Sequence, residues 1–284
     1  MPESTYKPNL LQRFGIALRS IFNIPKRLYL FFTEVQEESP IIDTVETVFE
    51  RPRDILPHIF ALRTHLLRVV LYMTVSTALS FMFVTPIMEF LATPLPGGLD
   101  ALRAVDVTEG VGTVMRVSLL SGFAIAFPLI AFEVWSYAAP AMHGYERLWT
   151  LLSIPVAALF FLAGLAFAYF ILLPTALPVL LSFMGLQTLP RPNSYFPFVV
   201  NLLFWMGIAF EFPLVVMILA RLGLVKASDL LKQWRLAIVI IAVLAAAITT
   251  TTDPANMALT MAPMSVLYFL SIGLAHLAQK RKKA

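Results

Sequence analysis

The stretch GIAFEFPLVV at residues 207–216 places a carboxyl group, Glu211, two positions before a helix breaker, Pro213, within a long apolar run. An ionised carboxylate at mid-membrane depth costs at least ~2.5 to 3.5 kcal/mol on insertion scales, so it must face a protein interior or a wet cavity, or hold a proton. Pro213 withholds one backbone hydrogen bond and frees a carbonyl one turn earlier, which neighbours must satisfy. With Phe210 alongside, and with Asp253 and Pro254 from the turn before the last apolar run, Glu211 and Pro213 form a candidate intramembrane polar site to which a side chain of another polypeptide can bond. The plainer alternative is a neutral Glu bonded to an adjacent helix as packing glue, worth about 1 kcal/mol. Two further acids stand out, Glu133 at the inner end of an apolar run and Glu146 just beyond it. Glu89 and Arg116 fall near outer ends, where long side chains reach water cheaply.

These residues do not make a catalytic constellation. The four histidines, His58, His65, His143 and His276, are scattered, and the chain has no HExxH, glycine-rich phosphate loop or GxSxG elbow. Cysteine is absent, which removes disulfides, thiolate metal sites and a cysteine nucleophile. An enzyme, a bound metal and a cofactor are therefore not expected. Nor is a nucleic-acid partner, since the basic clusters flank apolar runs.

The elements that hold these acids are membrane helices. Of 284 residues, 59% are hydrophobic and 13% charged, with a mean hydropathy of +0.81, whereas soluble domains average roughly 45 to 50% apolar and about a quarter charged. A spanning helix needs about 20 mostly apolar residues. Residues 66–91, 113–137, 148–173 and 196–222 meet that requirement. A fifth run, 236–248, is short, and a sixth, 254–277, is loosened by Asn256, Thr260, Pro263 and Ser271. Between the last two, Asp253 can cap a helix and Pro254 can take its first position, giving a tight hairpin. The expected fold is an all-α integral membrane protein of six transmembrane helices, with helices five and six short.

Only Arg103, Arg116 and Arg191 of the 21 Lys and Arg fall in outer positions; the other 18 precede the first helix, lie between two and three or four and five, or sit in the tail. This bias places both termini in the cytoplasm. The start of the chain does not read as a secretory signal peptide. Residues 1–57 form an extra cytoplasmic region with a basic amphipathic helix, suited to an anionic membrane surface or to the protein's own inner face. Residues 58–284 form the transmembrane domain.

Several strings resemble one family. FEVWSYAAPAMHGYERLW (132–149), GIAFEFP (207–213), HIFALRTHLLR (58–68), GLAFAYFILLP (164–174) and TTTTDPANMALTMAPMSVLY (249–268) are similar, in order, to motifs of TatC, the core subunit of the twin-arginine protein translocase. The resemblance runs from about residue 54 to the tail. It implies a receptor in the inner membrane that binds twin-arginine signal peptides of folded cargo. It also implies single-span TatA and TatB partners, a larger complex with several copies of the chain, and transport driven by the proton-motive force. Carried over residue by residue, it assigns Glu146 to the paired arginines, with Arg147, Arg63, His58, Tyr137 and Pro140 around it. Guanidinium groups favour such charge-assisted, bidentate pairing.

Departures from the pattern matter. The family's other cytoplasmic acid is replaced by Ala61, and Glu133, where the family commonly has glutamine, is the preferred substitute, ahead of Asp54. Ala141 stands for a turn glycine, Thr251 and Thr252 for two prolines, and Phe269 for a glutamate. The short fifth helix is expected to thin the bilayer locally. Two rival readings stand beside the receptor: a proton-coupled small-molecule secondary transporter using Glu211, and a structural scaffold.

Overall fold

The computed structural model describes the backbone of residues 55–106, 108–141, 144–182, 189–249 and 254–282. Asp253 and residues 1–54, with the amphipathic helix expected there, lie outside the described residues. So do the side chains of His58, Glu146 and Pro254. Among the described residues every regular element is helical.

The first span is interrupted. α1 runs Ile55–Met82 and α2 runs Val84–Ala92, with Phe83 between them outside helical geometry. Pro86 accounts for the break, since its ring clashes with the carbonyl four residues back and it lacks an N–H to donate. The second span is α3, Glu109–Ala138. The third begins as α4, Gly144–Phe167, loosens into a π turn at Ala168–Leu172 and ends as α5, Leu173–Leu181. Pro174 explains the turn: with no N–H at that position, the Leu173 N–H reaches back to the Ala168 carbonyl in a five-residue loop. α6, Pro192–Leu222, is the fourth span. It stops sharply at Gly223, whose φ of 84° sends the Leu224 N–H back to the Leu219 carbonyl at 3.0 Å.

The short α7, Ala227–Lys232, leads to α8, Trp234–Thr249, and then to α9, Pro254–Lys282. α8 has 16 residues and so reaches only about 24 Å, as its sequence predicts. α9 does not share that shortness. It runs 29 residues and contains an apolar span of 23. Its polar residues are accommodated inside the protein: Thr260 and Ser271 are buried, and the Ser271 hydroxyl donates to the Tyr268 carbonyl. Among the described residues five helices are long and apolar enough to cross a membrane, and α8 is a shorter sixth.

α6 is the axis of the bundle, packing against α3, α4, α8 and α9. Its crossing with α4 is backbone-close. A Cβ on Gly164 would lie 2.6 Å from the Met206 carbonyl oxygen, and one on Gly207 2.5 Å from the Phe161 ring. Around that crossing Phe127 stacks on Phe161 at 4.2 Å, with Phe123 edge-on. At the outer end, the Tyr169 and Tyr195 hydroxyls donate to the carbonyls of Phe90 and Leu91, tying α2 to the third and fourth spans. α1 is different: most of it is exposed, and it packs chiefly on α3.

Candidate functional site at the inner ends of α1, α3 and α4

The inner end of the bundle is the end that the basic residues assign to the cytoplasm. There, α1 presents Ala61, His65, Arg68 and Tyr72 at spacings of four, three and four, which puts them on one helical face. That face meets Glu133. The Glu133 carboxylate, only 3% exposed, takes up His65 Nδ1 and the more distant Arg68 at 3.5 Å on Oε2, and accepts the Tyr72 hydroxyl at 3.1 Å on Oε1. A buried carboxylate is tolerable only when paired and hydrogen-bonded in this way. The His65 ring stands edge-on to Tyr137, one turn beyond Glu133, with centroids 5.9 Å apart. The sequence reading offers Glu133 to an incoming peptide; in the structure both its oxygens are already engaged within the protein.

Hydrogen bonds among the described residues brace the turn from α3 to α4. The buried Trp135 indole donates to the Thr150 hydroxyl at 3.0 Å, and Arg147 Nε donates to the Ala139 carbonyl at 3.3 Å. Partial burial pulls the Arg147 guanidinium below its ordinary pKa. Pro140 lies exposed in a short 3₁₀ turn, Ala139–Ala141. Glu146 occupies the first turn of α4, where the helix dipole favours an acid. The structure thus brings Glu133, Tyr137, Pro140 and Arg147 to one place. Arg63 is exposed on α1, one turn before Leu67, outside the Glu133 network, and the His58 backbone lies in the first turn of α1.

Glu211 is separate from this cluster. One turn beyond Gly207, it faces the crossing with α4, against the backbone of Phe161, and its buried Oε1 has no hydrogen-bond partner among the described residues. Pro213 is fully buried and the Phe210 ring lies 5.5 Å from Phe167.

Two groups escaped sequence reasoning. His65, Arg68 and Tyr72 were legible as a polar stripe at helical spacing on an otherwise apolar helix. Glu109 was not. It is buried at the start of α3, 3.9 Å from Arg191, with Oε2 unpartnered among the described residues; only the presence of an outer arginine hinted at it. Among the described residues, no three His, Asp or Glu side chains gather as a metal site.

A helical bundle with, among the described residues, five long apolar helices and a shorter sixth is the architecture of a polytopic membrane protein. The family model for the Sec-independent protein translocase protein TatC matches residues 57–263. A TatC from Deinococcus radiodurans is 34% identical over 77% of this chain and 84% of its own length. TatCd of Bacillus subtilis is 35% identical over 72% of this chain and 83% of its own. A crystal structure of the twin-arginine translocase receptor TatC superposes with a TM-score of 0.68 at 31% identity, covering 78% of this chain and 99% of that one. The chain belongs to the TatC family.

Proposed function

We propose that this protein is the signal-peptide receptor of a twin-arginine translocase, with Glu146 as the acid that pairs with the arginines. The observation that carries this reading is the committed state of Glu133. Because His65, Arg68 and Tyr72 consume its carboxylate, Glu133 fixes α1 against α3 as a positioning residue. The face left for an incoming peptide is then formed by Ala61, Tyr137, the 3₁₀ turn and the first turn of α4. Arg63 and His58 flank that face on α1. Both termini lie in the cytoplasm of a cell whose inner membrane holds the protein, by the distribution of Lys and Arg.

Single-span TatA- and TatB-type subunits are the partners, joined in a complex with several copies of this chain and driven by the proton-motive force. Glu211, with an unpartnered oxygen at the α4–α6 crossing, offers such helices a polar contact. The secondary-transporter reading finds no support in the comparisons.

The test is photocrosslinking of a labelled twin-arginine signal peptide to the purified protein, against a twin-lysine version. Glu146→Gln should abolish the crosslink while Glu133→Gln, which keeps one acceptor oxygen for Tyr72, weakens it only modestly. Lysine lacks the planar fork, so crosslinking that ignores the lysine swap, or survives Glu146→Gln, would refute the assignment.

A further inference from the structure

An apolar groove of about 320 Å³ runs along the membrane-facing side of α6, α8 and α9, lined by Trp205, Phe212, Ile240, Leu244, Leu267 and Tyr268. Glu211 is not among its lining residues, and neither candidate site uses it. Its inner mouth is framed by the loop between α6 and α8. Tyr268, which lines the groove, donates its hydroxyl to the Leu230 carbonyl at 2.7 Å, and Gln279 donates to the Val225 carbonyl at 2.9 Å. Ala237, also in the lining, lies one turn after Trp234 on the same face of α8.

This mouth is cationic. Residues 221–235 hold Arg221, Lys226, Lys232 and Arg235 against a single acid, Asp229. Lys226, Lys232 and Arg235 are exposed, and among the described residues none of the three is paired with an acid. The Arg235 guanidinium rests 5.6 Å from the Trp234 ring centroid, the arrangement of an interfacial anchor.

An apolar, aromatic-lined channel that opens under Lys226, Lys232 and Arg235 matches one kind of molecule, an acyl chain with an anionic head. We infer that the groove between α6, α8 and α9 is a binding site for an anionic phospholipid of the inner leaflet. One acyl chain lies along Ile240 and Leu244, and the phosphate is held by Lys232 and Arg235, with Lys226 close by. The lipid fills the space beside α8 that this short helix leaves open.

Native mass spectrometry of the full-length protein tests this, with palmitoyl-oleoyl phosphatidylglycerol and the matching phosphatidylcholine as probes. Each cation near a lipid surface is worth about fivefold in affinity. Phosphatidylglycerol should therefore be retained roughly 30-fold over phosphatidylcholine, and K232Q/R235Q should bring that ratio close to one. Leu244→Trp, which fills the groove, should reduce retention of both lipids, while Arg103→Gln at the outer end should change neither. Should K232Q/R235Q fold poorly, raising salt toward 1 M, where the screening length shrinks to about 3 Å, should erase the preference in the unaltered protein. Equal retention of the two lipids overturns the proposal. So does a preference that survives both the charge change and salt, or a groove instead filled by a second copy, seen as a dimer that Leu244→Trp abolishes while lipid retention stays unchanged.

Discussion

Truncating Glu133 to alanine should loosen α1 more than any other single change at the inner end. The carboxylate makes three contacts, and they are unequal. Arg68 lies at 3.5 Å and its side chain is 28% exposed, so water replaces most of what it loses. His65 is 19% exposed and Tyr72 bonds at 3.1 Å; hydrogen bonds to a charged group contribute about 1.5 kcal/mol or more each. Comparable pairs inside membrane proteins average only ~0.6 kcal/mol, with a maximum near 1.7. These bounds give an expected loss of about 2 to 3 kcal/mol for Glu133→Ala and roughly half that for Glu133→Gln. Reversible unfolding of the purified protein in mixed micelles measures both. A cycle with His65→Ala should return a coupling of about 1 kcal/mol. Because the chain has no cysteine, a pair of spin labels on α1 and α3 can follow the same loosening as a broadened distance distribution. A loss under about 0.5 kcal/mol with no coupling would show that Glu133 does not hold α1 in place, and the argument for Glu146 as the peptide's acid would lose its footing.

Glu146→Gln should cut signal-peptide affinity by roughly 150-fold or more, the value of two charge-assisted hydrogen bonds at about 1.5 kcal/mol each, with the melting temperature unchanged. Trp135→Phe removes the indole bond to Thr150 and should cost about 1 kcal/mol of stability while also weakening peptide binding, since the turn it braces carries Arg147; titration and thermal melts report the two effects. Gly164→Leu must push α4 away from the Met206 carbonyl, so the protein should lose more than about 2 kcal/mol and yield little folded material in detergent. Glu211→Gln should leave stability within about 0.5 kcal/mol, because Oε1 has no partner to lose, yet slow export of a reporter cargo; unchanged export would return Glu211 to a packing role.

The helical layout was legible because lipid makes strong demands on sequence: apolar runs of the right length and a biased placement of Lys and Arg leave few arrangements. The short α8 followed from counting residues. α9 was underestimated because Thr260 and Ser271 read as polar interruptions, whereas burial against neighbours and hydrogen bonds within its own turns keep the helix intact. The breaks at Phe83 and at Ala168–Leu172 were written in Pro86 and Pro174, but a proline does not say whether a membrane helix kinks or ends. The site was legible in its acids and not in their pairing. Glu133 could be placed at the inner end of α3 from hydropathy alone, but which residue of α1 would meet it depends on the rotation of one helix against another, which single-helix patterns do not fix. The same applies to Glu109 and Arg191, brought together across 82 positions by the outer ends of α3 and α6.

The length of α8 has a consequence for biosynthesis. A helix of about 24 Å emerging from a ribosome cannot satisfy both interfaces of a bilayer unaided, and the partner that completes it, α9, is made afterwards. α8 should therefore linger beside the insertion machinery until α9 arrives and the two enter together. A chain stopped after residue 250 should leave α8 extractable by alkali, and one extended to the tail should not.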